Sequence, residues 1–226
     1  MFELKPDFET CLNRYEAWWE GAVLDRPLIC PAYPRPPDQR PTPPTSSHRT
    51  VRDRWLDVDF AVAACVAGLE GTVFAGDALP VAFPNLGPEV FSAFYGCQLE
   101  FTETTSWSLP VLSSWAPESV DALRLDEDNE YFRAILAITD ALLDAGRGRF
   151  LVGYTDLHPG GDAIAAFRDP QQLCIDVVEA PSAIRELCAR ITHDFLRLYD
   201  LYHDRLQAGG MYSTTWLPAT CRGRYH

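Results

Sequence analysis

The sequence predicts an α/β protein of the (β/α)8 TIM-barrel type, present as an N-terminal part with about four barrel strands. Three observations predict it. Short apolar runs at 27–33, 72–76, 150–154 and 211–216 read as strands, the third covered on both faces. Long amphipathic stretches separate most of them, which implies crossover connections and parallel pairing. Proline and glycine punctuate most of the junctions.

The elements follow in order. Phe8, Cys11, Leu12, Tyr15, Trp18 and Trp19 recur at helical spacing, with Asp7 placed to cap and Gly21 to stop. The first strand, ending at Tyr33, leads into residues 34–47, which carry six prolines and read as a long extended loop. Helix resumes from Val51 to Leu69, and a strand at 71–76 runs into Asp77-Ala-Leu-Pro80. A short helix is expected over 88–95. From 97 to 111, Leu99, Phe101, Trp107, Leu109 and Val111 alternate around a threonine-rich turn, the pattern of a β-hairpin insertion. Helices are then predicted over 129–145, 162–167, 170–179 and 181–207, with Asp162 a natural cap for the second. A barrel of this type needs eight strands and roughly 250 residues. The reading therefore expects either chain beyond His226 or a homo-oligomer to cover the exposed strand edges.

Composition narrows the function. With 226 residues, 47% hydrophobic and 23% charged, the chain can bury a core. A net charge of −13 argues against a nucleic-acid partner. No apolar run reaches the ~18–20 residues of a membrane span, and the start lacks a basic-then-apolar leader pattern, so a cytoplasmic location is expected. Seven cysteines without a CxxC read as reduced thiols, mostly in the core.

Reactive groups in parallel β/α folds sit just beyond strand C-terminal ends. Three places qualify. Tyr33 and Arg35 follow the first strand, and Asp77 follows the second. Tyr154, Asp156, His158 and Asp162 follow the third, around Gly160-Gly161. Asp77 reads either as a ligand-orienting carboxylate in a partly desolvated mouth or as a turn cap. His158 reads as a proton shuttle or metal ligand with Asp156 as its orienting partner, or as an ordinary loop residue. His193 and His203, ten residues apart on one helix, read as surface or packing groups. Cys221 and His226 alone cannot close a zinc site, and no triad order stands out.

Asn13-Arg-Tyr-Glu-Ala-Trp-Trp19 followed by Asp25-Arg-Pro-Leu-Ile29 resembles the opening of the uroporphyrinogen decarboxylase-like superfamily, which includes methylcobalamin:coenzyme M methyltransferases. Phe74 to Pro80 resembles that family's second strand and its substrate-binding aspartate, and Gly153 to Phe167 with the segments at 169–173 and 180–182 resembles its third landmark. The resemblance implies a TIM barrel acting on a small-molecule substrate and carries over one role, substrate anchoring at Asp77; the strand-end positions themselves add His158 beside Asp77 as a catalytic candidate and Arg35, Tyr154 and Asp156 as substrate contacts. It implies a divergent decarboxylase-type enzyme for a small anionic or tetrapyrrole-related substrate, needing no cofactor. Two alternatives stand beside it: a zinc-dependent corrinoid or thiol methyltransferase, and a non-catalytic truncated barrel that acts as an interaction module. The chain departs from the family where Pro31-Ala-Tyr-Pro-Arg35-Pro-Pro replaces an arginine-rich segment, and where Asp156-Leu-His158-Pro replaces a Trp-Thr-Leu segment.

Overall fold

The computed structural model describes residues 2–215, 217 and 219–224. Helix α1 spans Phe8–Trp19 and buries Phe8, Cys11, Leu12 and Tyr15 of the stripe its spacing predicts, while Trp18 and Trp19 at its end are exposed. It ends at Glu20, and Gly21 follows at φ +70°, a conformation that costs glycine least. The stretch predicted as one helix from Val51 is two, α2 (Val51–Leu56) and α3 (Val58–Glu70). Asp57 breaks the run because its carboxylate accepts the Phe60 N–H and so starts a new helix. Helix α6 (Glu130–Gly146), capped by Asn129, buries Phe132, Ile135, Ile138 and Leu142 and packs on α3. Each such side chain contributes about 1.5–3 kcal/mol through burial.

The remaining helices are α4 (Val90–Ala93), α5 (Pro117–Ala122), α7 (Gly161–Arg168), α8 (Pro170–Glu179) and α9 (Pro181–Ala208). Asp162 does not cap α7: Gly160 stands at the cap position and Asp162 lies inside the first turn. None of the described helices is long and apolar enough to cross a membrane.

Strand pairing departs from the expectation. The described residues form a mixed α/β fold of short strands, with no closed barrel. Strands β1 (Ala32–Pro34) and β2 (Thr72–Phe74) pair antiparallel, not parallel. Backbone bonds from Ala75 to Pro31 and from Asp77 to Ile29 extend this ribbon. The one parallel pair among the described residues joins β3 (Val81–Ala82) to β6 (Leu151–Val152). Residues 81–82 are not among the strands that the sequence predicts. Gly153 lies hard against the next layer, since a Cβ there would fall 2.7 Å from the Thr214 carbonyl oxygen. That approach lets Tyr154 N–H reach Thr214 O at 2.8 Å, beside the final pair β7 (Ser213–Thr214) and β8 (Thr220–Cys221). Trp216, at the end of the predicted strand 211–216, and His226 lie outside the described residues.

The hairpin is present as β4 (Leu99–Phe101) and β5 (Ser106–Ser108), but its second strand faces the other way from the expectation. Trp107 is 44% exposed, while Ser106 and Ser108 are buried. Trp107 sits opposite Glu100 and donates its indole N–H to that carboxylate at 3.0 Å. Ser106 Oγ donates to Leu86 O at 2.5 Å, where Gly87, at φ +104°, leaves no room for a Cβ. Ser108 binds Glu89 through both its N–H and its hydroxyl. Two specific polar anchors thus outweigh the apolar alternation.

Candidate functional site

The structure separates the predicted site residues into four places. Asp77 is fully buried at the end of the β1–β2 ribbon. Its Oδ1 accepts from Arg14 Nη1 and Arg26 Nη2, each at 3.0 Å. Its Oδ2 accepts from Arg26 Nη1 and, at 3.0 Å, from Ile29 N–H. Arg14 also grips Asp25 with two 2.8 Å bonds. The surrounding loop is clamped as tightly. Tyr15 hydroxyl donates to Asp77 O at 3.1 Å, and Lys5 Nζ donates to Gly76 O at 2.7 Å. Gly76 is required here, because it sits at φ +55° and a Cβ would meet Ile29 O at 2.4 Å. Burial pushes the Asp77 carboxyl upward, but Arg26, the Ile29 N–H and Arg14 outweigh it and hold the group below the usual carboxylate range. The acceptor capacity of Asp77 is spent on its own chain. Both guanidiniums belong to the Asn13–Trp19 and Asp25–Ile29 segments that carry the family resemblance.

Arg35 stands at the far end of the same ribbon. Its N–H bonds Gly71 O and its Nε donates to Glu70 O at 2.8 Å, closing the C-terminus of α3. Six residues of strand place it about 20 Å from Asp77. Tyr154 is buried and turned into the protein, with its hydroxyl 3.0 Å from His203 Nδ1 and 3.3 Å from Ser213 Oγ. Tyr154 stacks on Tyr199 at 4.9 Å. His203 is therefore a buried packing group, one of the two roles its helical position allowed.

Asp156 and His158 do come together. Asp156 Oδ1 lies 2.6 Å from His158 Nε2, with the carboxylate largely buried and the imidazole partly exposed. Burial pushes the Asp156 carboxyl above its ordinary range; His158 opposes that shift and the Asp162 charge adds to it. His158 and Asp162 line a cleft of about 460 Å³ with Pro88, Glu89, Phe91 and the alanine face of α7. One wall of this cleft is the segment leaving β3, and the other is the segment leaving β6. It therefore lies beyond the C-terminal ends of the parallel pair, where ligands bind in α/β folds. Asp169, beside cleft residue Pro170, holds φ +98° while its carboxylate caps α8 through Gln171 and Gln172 N–H.

Glu89 was not singled out in the sequence. Its signal was faint: an acid four residues after Asn85, in a segment read only as a short helix. Among the described residues, no group of three or more His, Cys, Asp or Glu side chains is arranged to hold a metal ion. Cys221 Sγ donates to Gly223 O at 3.1 Å. Comparison with protein families, with curated proteins and with solved structures finds no match for the chain.

Proposed function

We propose that the chain is an enzyme that transfers protons on a small-molecule substrate, with His158 as general acid–base and Asp156 as its orienting partner. One observation carries the reading: the 2.6 Å Asp156–His158 pair borders the cleft fed by both parallel strands. A carboxylate held against one ring nitrogen orients the ring and supports the imidazolium form.

Within this reading, the family resemblance favours a divergent decarboxylase-type reaction. As the carbon–carbon bond breaks and carbon dioxide leaves, the electron pair stays on the substrate carbon. The imidazolium of His158 then delivers the proton that quenches it. Glu89 and Asp162 make the cleft wall acidic, and its lining carries no lysine or arginine. That favours a substrate with a single carboxylate placed at His158 over a tetrapyrrole bearing many. Asp77 then supports the ribbon instead of gripping substrate. Exposed Ile29 and Tyr33 near and on β1 support the companion proposal of a homo-oligomer.

The test is solvent-deuterium incorporation into a panel of small carboxylic acids, followed by NMR. We expect incorporation with the wild type and a rate about 100-fold lower in His158→Gln. Equal rates in the two proteins would end the proposal.

A further inference from the structure

A second reactive constellation lies where the proline-rich segment meets the start of α3, away from the cleft. Ser46 Oγ is 3.0 Å from His48 Nδ1, and His48 Nε2 is 2.8 Å from Asp57 Oδ2. The chain order Ser, His, Asp over twelve residues hid this grouping, because helix α2 stands between His48 and Asp57 and only the fold brings them together. Asp57 is fixed independently: its Oδ1 accepts the Phe60 N–H at 2.9 Å and starts α3. The imidazole is fixed on a second side, meeting the Phe60 ring edge-on at 5.1 Å.

The proton positions follow from the partners. An ionised carboxylate only accepts, so in the neutral imidazole Nε2 carries the hydrogen given to Asp57. Nδ1 is then a bare lone pair, and the Ser46 hydroxyl is its donor. Nucleophile, base and orienting acid therefore stand in sequence, each within hydrogen-bond reach of the next. Which ring nitrogen faces the serine is immaterial to proton transfer, provided the opposite one is held by the carboxylate. Ser46 is exposed, so an acyl donor can reach it. Phe60 also lines a cleft of about 310 Å³ whose apolar wall of Trp55, Ala64, Phe83 and Leu142 suits an acyl chain, and which Arg54, Asn85 and Glu103 line as well.

We propose that Ser46, His48 and Asp57 form an esterase-type nucleophilic site that acts on esters with a short apolar acyl group. Ser46 Oγ bonds to the acyl carbon while its proton passes to His48 Nδ1. The ester carbon–oxygen bond breaks, its electron pair stays on the departing oxygen, and the same proton passes to that alkoxide. Water then attacks the acyl-serine, losing a proton to Nδ1, and Ser46 Oγ recovers that proton as the carboxylic acid leaves. Asp57 positions the imidazole and stabilises its charged form throughout.

The experiment treats the full chain with a fluorophosphonate probe and maps the adduct by mass spectrometry, alongside hydrolysis of p-nitrophenyl butyrate. We expect a single adduct on Ser46, and hydrolysis lower by about 100-fold or more in both Ser46→Ala and His48→Gln. Ser46 is an exposed loop residue, so Ser46→Ala reads activity with the fold retained. Hydrolysis within twofold of wild type in Ser46→Ala, or an adduct on another residue, overturns the proposal. So does a lowered melting temperature in His48→Gln with labelling of Ser46 unchanged, the result a purely loop-anchoring trio would give.

Discussion

Asp77 and Asp156 are both buried aspartates just beyond a strand, and the fold gives them opposite electrostatic fates. Asp77 meets two guanidiniums and a backbone N–H, which hold its carboxyl below the ordinary range. Asp156 meets one imidazole and a neighbouring acid, and burial drives its carboxyl up. The difference lies in the number of donors the fold supplies. A carboxylate whose lone pairs are spent on its own chain stabilises structure. One left poorly compensated beside a cleft is available for chemistry.

The comparison can be broken most directly at Asp77. Asp77→Asn leaves two guanidiniums without their shared counter-charge, and we expect a loss of about 3–5 kcal/mol in urea unfolding at neutral pH. A loss under about 1 kcal/mol would show that the network is not structural. The second test is pH. Because the folded Asp77 carboxyl is lowered, its contribution is complete above the unfolded value of about 3.9. It is lost as pH falls through the lower folded value. Asp156 runs the other way: its raised folded value makes the buried charge costly at neutral pH, and that cost disappears as pH falls below about 4. Asp156→Asn is therefore expected to be neutral or stabilising by up to about 1 kcal/mol at neutral pH, and to match the wild type in acid. Parallel pH–stability curves for the two variants would remove the distinction.

Two smaller effects sharpen it. His158→Gln should change unfolding free energy by no more than about 0.5 kcal/mol, because its ring is partly exposed, while lowering proton transfer as described above. Trp107→Thr should also fall within about 0.5 kcal/mol. Ser106→Ala, by contrast, strands the Leu86 carbonyl and should cost about 1–2 kcal/mol by thermal unfolding.

Much of the local structure was legible. The buried stripes of α1 and α6 follow directly from the positions of Phe8, Leu12, Ile135 and Leu142. The threonine-rich turn at 102–105 marked the hairpin, and Gly160-Gly161 marked the entry to α7. The Asp156–His158 pair was also readable, since two residues of separation in one loop nearly fix their proximity. Trp107 was misread because alternation alone does not say which face is buried; the serine bonds to Leu86 and Glu89 decide that. Glu89 enters the cleft because α4 packs on α7, and no local pattern encodes that contact.

What the sequence determined by itself was therefore most of the helices (α5 and the break at Asp57 excepted), the hairpin and the proline-rich excursion, because each depends on interactions within a few residues along the chain. Tertiary structure decided the rest. It made the β1–β2 ribbon antiparallel, placed the one described parallel pair at 81–82 and 151–152, and closed Arg14 and Arg26 on Asp77. It also brought His48 to Asp57 and Glu89 to the mouth of His158. Strand direction and ion-pair partnership are set by non-local burial and by which donors a carboxylate meets, and the amino-acid order carries no periodic mark of either.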